Sequence, residues 1–431
     1  MSNAVGRPDV DHLIIGGGPA AVACAERLRE LDPAASILVT SRELDPPYDR
    51  TLCSKSYLRG AQSRDATHLR TVNWWVSRAI ELRTGTSVTG LDTAARTARL
   101  SSRDEVSFGQ ALLATGATVR RITCDGSSLA GIHYLRALGN ADAIRRDVEH
   151  AGEVVLVGGS YIGCEVAATL TAAGKRCTVL MRENTCFEHH LAGWGGLFLQ
   201  DVLVQRGVRF VAGDELERFE GDGSRVTRVV TRAGRTLAAQ AVVVGVGAQP
   251  DVRLARGAGL RLGDTGGVHC DAQLRTSAPG IFAAGDMCEW DSAAHRRRAR
   301  VERWDVAAGQ GRAAAANMLG YNDPYTAIPT FWSDLADWVT LRFHGVVAGD
   351  TRIERGEPEE GAFSIWYLDG DEVRGVLSIG RDQDLGCADR LIGTHMTAEQ
   401  RAAITDPDAD LAEIGPQPAE SVAGRSPAAS A

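Results

Sequence analysis

The sequence predicts an α/β protein with two dinucleotide-binding domains, one inserted in the other, and a small α+β C-terminal domain. Three observations carry this expectation. Two glycine-rich turns stand about 140 residues apart: Leu13-Ile14-Ile15-Gly16-Gly17-Gly18-Pro19-Ala20-Ala21, and Val154-Val155-Leu156-Val157-Gly158-Gly159-Ser160-Tyr161-Ile162-Gly163. Each is fed by an apolar strand-like run and opens an alanine-rich helical stretch, the context that turns a weak glycine pattern into a dinucleotide-site prediction. A later segment, Thr276-Ser277-Ala278-Pro279-Gly280-Ile281-Phe282-Ala283-Ala284-Gly285-Asp286, reads as a return of the chain to the first domain. Two such sites imply two dinucleotides facing each other, and electron transfer between them.

In chain order, residues 9–15 read as a strand, 19–31 as a helix and 36–40 as a second strand. A loop with Pro46 and Pro47 follows, then helical pieces to Arg78, alternating strand-like residues over 86–100, and a buried strand over 110–114 that ends at Thr115-Gly116. The pattern then restarts, with a strand at 154–157, a helix at 163–173, a strand at 176–181, a helix near 197–206 and strand-like segments from Val208 to Val244. The expected domains are 1–118 and 244–328 for the first nucleotide domain, 119–243 for the inserted one, 329–404 for the C-terminal domain, and a Pro/Ala/Ser-rich, acidic, disordered tail over 405–431.

At 431 residues the chain exceeds what one core organises, and 44% apolar with 24% charged residues is the balance of a soluble globular protein. There is no run of eighteen or more apolar residues and no basic-then-apolar leader, so the expectation is a cytoplasmic protein that does not engage membrane. A formal charge of −8 argues against nucleic-acid binding. Nine cysteines (24, 53, 124, 164, 177, 186, 270, 288, 387) form no CxxC pair, which supports neither a zinc site nor a disulfide framework and reads as free thiols. His189-His190 lacks companion ligands at suitable spacing, so no metal is expected. The oligomeric state, monomer or homodimer, is not set by the sequence.

At the first turn, Gly16 and Gly18 let backbone N–H groups approach a pyrophosphate, with Pro19 and Ala20 opening the helix whose dipole favours the negative charge. Glu43, past the second strand, is placed to bond the adenosine ribose. At the second turn, Gly158, Ser160, Tyr161 and Ile162 take the corresponding places, Ser160 standing where a glycine is usual. Glu183 lies about twenty residues past Gly163, the spacing of a ribose-binding acid and hence of NADH; Arg182 beside it could instead meet the 2′-phosphate of NADPH. Thr115, Gly116 and Gly247, at the ends of apolar runs, are further cofactor-binding candidates.

The segment Pro47-Tyr48-Asp49-Arg50-Thr51-Leu52-Cys53-Ser54-Lys55 resembles the PYxRPPLSK signature of NADH-dependent ferredoxin reductases of oxygenase systems and of apoptosis-inducing-factor-like flavoproteins. The 276–286 segment, Val301-Glu302-Arg303-Trp304 and Phe331-Trp332-Ser333-Asp334-Leu335 agree with the same family, in its order. The resemblance implies a glutathione-reductase-like flavoprotein fold binding FAD and NADH, with NADPH as the alternative. It implies that Arg50 and Lys55 flank the flavin, Lys55 near its reactive edge, and that Asp286, with Gly285, meets the ribityl chain. Trp304 and Trp332 would line the flavin and nicotinamide pocket, and Glu165 would lie on the nicotinamide side. Lys55, Trp304 and Glu165 are thus the catalytic candidates.

The implied activity is hydride transfer from NADH to FAD, then electron delivery to a ferredoxin-type iron–sulfur protein serving an oxygenase. Other readings are a small-molecule reductase acting on a quinone, oxygen or a disulfide through Cys53, and an NADH-responsive flavoprotein of the apoptosis-inducing-factor kind. Three departures from the signature stand out: Thr51 and Leu52 replace two prolines, Cys53 replaces a leucine, and Leu335 stands where ferredoxin reductases carry glutamine. The missing CxxxxC after the first helix argues against glutathione- or lipoamide-type disulfide reduction. The basic run His295-Arg296-Arg297-Arg298-Ala299-Arg300 is a candidate docking patch for an acidic partner.

Overall fold

The computed structural model describes residues 8–191 and 194–415. The chain divides into two compact units, Met1–Thr340 and Leu341–Ala431.

The first unit is built on two parallel sheets. In one, Val10–Ile15 lies between Ile37–Thr40 and Glu105–Leu113; Ile80–Arg83 extends it on one side and Ile281–Ala283 on the other, all parallel. The strand at 281–283, more than 160 residues after its neighbour, returns the chain to this sheet. The antiparallel strands Val88–Asp92 and Thr97–Leu100 continue from Glu105–Leu113. The central strands are continuous apolar runs because both faces are covered: Leu13, Ile14, Leu38, Val39, Leu112 and Leu113 are fully buried.

The helix Pro19–Leu31 packs against the helix Trp304–Met318. Their approach needs a bare backbone at Gly311, where an added Cβ would stand 2.1 Å from the Ala20 carbonyl oxygen. The second helix is a feature that the sequence reading left out.

The second sheet has the order Arg209–Val211, Arg176–Leu180, Glu153–Val157, Ala241–Val244, Ile132–Tyr134, again parallel. An antiparallel trio, Leu216–Gly221, Val226–Thr231 and Thr236–Ala238, packs on it through Phe219, Val226 and Val229. The two segments that lead into and out of this region, Ala117–Val119 and Ala248–Pro250, pair antiparallel with each other. The chain therefore leaves the first sheet and comes back along one two-stranded neck.

In the second unit, the antiparallel strands run in the order Val339–Gly345, Glu372–Ile379, Ala362–Asp369, Thr351–Glu357, with helices Asp382–Leu391 and Ala398–Thr405. The compact unit starts at Leu341; ahead of it, in the strand Thr330–Leu335, Thr330 donates to Asp305 and Ser333 donates to Glu165. The tail expected from residue 405 is packed over its described part, 405–415: Leu411 is buried, and carbonyls of Asp406, Ala409, Leu411 and Ile414 accept from Arg355 and Arg390. Arg355, itself 3% exposed and paired with Asp384, is the pin that composition alone cannot announce. The rest of the expected tail lies outside the described residues.

Among the described residues no helix is long and apolar enough to cross a membrane.

Candidate functional site

One cavity of about 1060 Å³ runs through the first unit. At one end lies the first glycine turn. Gly16 has φ +143°, and a Cβ there would sit 2.0 Å from the Ala114 carbonyl oxygen. A Cβ on Gly17 would meet Ser41, whereas one on Gly18 would meet no protein atom within 4 Å. The turn is thus closed toward the sheet and open toward the cavity at Gly18, with Pro19 and Ala20 following at the rim of the helix.

Glu43 lines the same end, in a network with Arg50 and Tyr48, both of which donate to its carboxylate. Burial alone would push the Glu43 carboxyl up; the neighbouring Arg50 cation and the two donors outweigh it and hold the group below its usual range. Arg50 also donates to the Arg136 carbonyl at 3.1 Å. The Arg136 guanidinium in turn pairs with Asp286 at 2.8 Å. Gly285, beside Asp286, is fixed by donating its N–H to Gln310 at 2.8 Å. Thr115 and Gly116 line the cavity between these groups, Thr115 donating to the Asp251 carbonyl at 2.6 Å.

The middle of the cavity holds a buried ionic knot. Lys55 Nζ lies 2.7 Å from Glu165 Oε1, with the two side chains 14% and 6% exposed. Ser333 donates to the same oxygen at 2.6 Å, and Ser54 donates to Oε2 at 2.5 Å. Three chain segments meet here: the 3-10 turn Arg50–Ser54 with Lys55, the helix Tyr161–Ala172 that follows the second glycine turn, and the strand Thr330–Leu335. Thr169 ties the helix to the turn by donating to the Ser54 carbonyl at 2.7 Å.

At the far end the cavity is aromatic. Trp304 and Trp332 stand edge to face, ring centres 6.3 Å apart. Tyr161 meets Phe331 at 5.2 Å, and the Arg303 guanidinium lies 4.4 Å over the Phe331 ring. Burial lowers the Arg303 pKa from its usual value. Trp332 is 38% exposed and lies at the rim, whereas the buried Trp304 indole N–H has no acceptor among the described residues.

The second glycine turn meets this end only through Ser160, Tyr161 and Ile162, with Gly247 nearby. Gly158 and Glu183 do not line the cavity. Gly158 (φ +113°) packs on the returning chain, where a Cβ would stand 2.3 Å from the Gly245 carbonyl oxygen. Glu183 lies past the end of the strand Arg176–Leu180, its carbonyl accepting from Gly213 at 3.1 Å.

Cys53 lines the cavity wall but is 2% exposed, and burial pushes its thiol up to about 12. A thiol so held is protonated at neutral pH and a poor nucleophile. The basic run does not form one free patch. Arg298 donates to the Cys270 carbonyl and pairs with Asp291, and Arg300 pairs with Glu302 at the cavity wall. Arg297 is exposed on the short strand Arg297–Ala299. The side chains of His189 and His190 lie outside the described residues.

The sequence reading missed Tyr48, Ser54, Arg136, Arg303 and Ser333. Tyr48, Ser54, Arg303 and Ser333 sit inside motifs that were already in view; no local pattern marks Arg136, whose partner is 150 residues away.

Fold and site together define an FAD-dependent oxidoreductase that faces a pyridine nucleotide. Residues 10–311 match the pyridine nucleotide-disulphide oxidoreductase family and residues 330–415 match a reductase C-terminal domain. The chain belongs to that family, which uses FAD and NAD(H). It is 34% identical over 384 residues to the ferredoxin–NAD(+) reductase component of an anthranilate 1,2-dioxygenase system from Burkholderia cepacia, covering 88% of this chain and 93% of the relative. A solved ferredoxin reductase from Rhodopseudomonas palustris superimposes with a TM-score of 0.88 at 31% identity, over 93% of this chain and 98% of that one. The covalent putidaredoxin reductase–putidaredoxin complex gives 0.87 at 29% identity, over 95% and 98%.

Proposed function

We propose that this protein takes hydride from NADH onto FAD and passes the electrons to a ferredoxin-type iron–sulfur protein that serves an oxygenase. The observation that carries the reading is the single cavity that joins the first glycine turn, through the Lys55–Glu165 knot, to the aromatic end reached by the second turn. The residues fit the two cofactors. Gly18 leaves open the space a diphosphate needs, and the Trp304 N–H is a buried donor awaiting an acceptor. A bound flavin supplies the chemistry of accepting a hydride and releasing single electrons.

The protein's part is to bind, orient and charge. Gly16, Gly18, Pro19 and Ala20 would take the diphosphate of FAD and Glu43, braced by Arg50, its adenosine ribose. Asp286, braced by Arg136, would take the ribityl chain, with Thr115, Gly116 and Gly285 allowing close approach. Lys55 would place a fixed, largely desolvated cation against the isoalloxazine, where it favours the reduced, anionic form. Glu165 would act through Lys55 by fixing its position. Tyr161, Trp304 and Trp332 would enclose the nicotinamide and exclude water. Gly158, Ser160, Ile162, Glu183 and Gly247 would receive the rest of the nucleotide, Glu183 selecting NADH.

The exposed Trp332 and Arg297 mark where an acidic iron–sulfur partner would approach. The named relatives speak for a protein acceptor, and burial of Cys53 speaks against a disulfide substrate. We place the protein in the cytoplasm, as a monomer or homodimer.

The test is anaerobic. The purified yellow protein should lose its absorbance near 450 nm on addition of NADH, and should reduce cytochrome c rapidly only when a ferredoxin is supplied. Failure to bleach with NADH or NADPH would overturn the whole reading. Bleaching with slow turnover and no response to ferredoxin would favour the nucleotide-responsive alternative.

A further inference from the structure

Glu165 is a fully engaged carboxylate. One oxygen accepts from Lys55 at 2.7 Å and from Ser333 at 2.6 Å, and the other accepts from Ser54. An ammonium has three donors in a mobile fan on a long stem, so one ion pair alone fixes its position poorly. What fixes the pair is the carboxylate's own anchoring. Ser54 and Lys55 are adjacent in the chain, so Ser54 holds Glu165 only relative to the segment that Lys55 already rides on. Ser333 comes from a different strand, is 0% exposed, and does not line the cavity. It refers Glu165 to the segment carrying Phe331 and Trp332, the aromatic end of the site.

We propose that Ser333 is a positioning residue for electron transfer: its hydroxyl orients Glu165, and through it sets where the Lys55 cation stands in the cavity. The inference rests on the flavin reading given above, and it extends that reading to a residue that does not line the cavity. Removing the hydroxyl leaves a buried carboxylate one donor short, and such a group recovers its hydrogen bonding by moving or by drawing its counter-ion inward. Either response displaces Lys55 from the place where reduced flavin needs positive charge. The strand Thr330–Leu335 thereby does two jobs in adjacent residues, Trp332 half-out at the rim and Ser333 fully in.

The experiment uses the full-length, FAD-loaded protein and its Ser333→Ala and Ser333→Thr variants. Four quantities are read: FAD content, the NADH concentration giving half-maximal bleaching rate, the limiting rate of bleaching near 450 nm in anaerobic stopped flow, and the flavin midpoint potential from dye equilibration. In Ser333→Ala, FAD content and half-saturation are expected within about twofold of wild type, the limiting rate is expected to fall about tenfold, and the potential is expected to become more negative. Ser333→Thr, which keeps the hydroxyl, should regain most of the rate and the potential. A limiting rate per bound flavin within twofold of wild type, or an unchanged potential, overturns the proposal. So does a rise in half-saturation alone, which would make Ser333 a determinant of nucleotide binding. Wild-type protein that fails to bleach overturns the flavin reading itself, whereas bleaching wild type beside an indifferent Ser333→Ala overturns only the role of Ser333.

Discussion

The two glycine turns share one pattern, an apolar strand run into a glycine pair and a helix, and are unlike in what they are built into. The first opens directly on the cavity and is ringed by paired charges, Glu43 with Arg50 and Asp286 with Arg136. The second reaches the cavity only through Ser160, Tyr161 and Ile162, and its acidic candidate Glu183 lies off the cavity altogether. A resident cofactor needs many fixed partners along its length, and the first turn has them. A nucleotide that enters, delivers hydride and leaves needs a grip only where it reacts, and a weaker hold elsewhere. The asymmetry is therefore the one expected of a bound flavin served by an exchanging nicotinamide.

The sharpest way to break this comparison is Gly18→Val. A Cβ at this position meets no protein atom within 4 Å, so the chain should fold, but the new methyls would fill the space left for the diphosphate. Colourless protein with a wild-type circular dichroism spectrum is the expected result; a fully loaded yellow variant would contradict it. Gly163→Val, in the helix that follows the second turn, works differently, because a Cβ there would stand 2.0 Å from the Gly158 carbonyl oxygen. It should reduce the thermal stability of the protein.

Next in size is Lys55→Met. Losing a fixed charge at the reacting centre costs about a hundredfold in rate in comparable sites, so NADH bleaching should slow by about that factor. It also strands Glu165, a buried carboxylate, at a stability cost of about 3 kcal/mol. The double variant Lys55→Met/Glu165→Gln separates the two effects. Thermal stability should largely recover in it, while the bleaching rate stays low.

Glu183→Ala sharpens the contrast from the other side. If the second turn holds its nucleotide through few contacts, loss of this one should raise the NADH KM about tenfold and leave the NADPH KM within about threefold, at constant FAD content. Equal effects on both nucleotides would remove Glu183 from cofactor choice.

How much of this was legible in the sequence follows the same asymmetry. Both turns, the return strand at 281–283 and the Lys55 and Asp286 motifs could be read because each is a short local pattern with a physical reason for its residue types. What could not be read is pairing across the chain. Arg136 finds Asp286 150 residues away, and Ser333 finds Glu165 168 residues away. Arg355, by holding the carbonyls of residues 403–409, turns an apparently disordered stretch into part of a packed unit. The basic run shows the same limit: charge density is visible in sequence, but the pairing of Arg298 with Asp291 and of Arg300 with Glu302 is not. Charge steering by this region should rest on exposed residues such as Arg297. Arg297→Ala is expected to lower ferredoxin-dependent cytochrome c reduction two- to threefold at low salt and to flatten its salt dependence, with no change in NADH bleaching.

The smallest effect is expected at Cys53, and a null result there carries information. The residue lies on the wall of the first turn's cavity, where a thiol invites a redox role. Its environment denies it one. The side chain is 2% exposed, and desolvation, stronger than the attraction of the nearby Arg50, keeps it protonated at any pH near neutrality. Disulfide chemistry needs a thiolate that a substrate can reach, and neither condition is met. Cys53→Ser should therefore leave both NADH bleaching and ferredoxin-coupled turnover within about twofold of wild type, and prior treatment with an alkylating reagent should not inactivate the native protein through this position. Loss of turnover with normal bleaching in Cys53→Ser would mean that electrons leave the flavin through the thiol, and the protein acceptor would have to yield to a disulfide one.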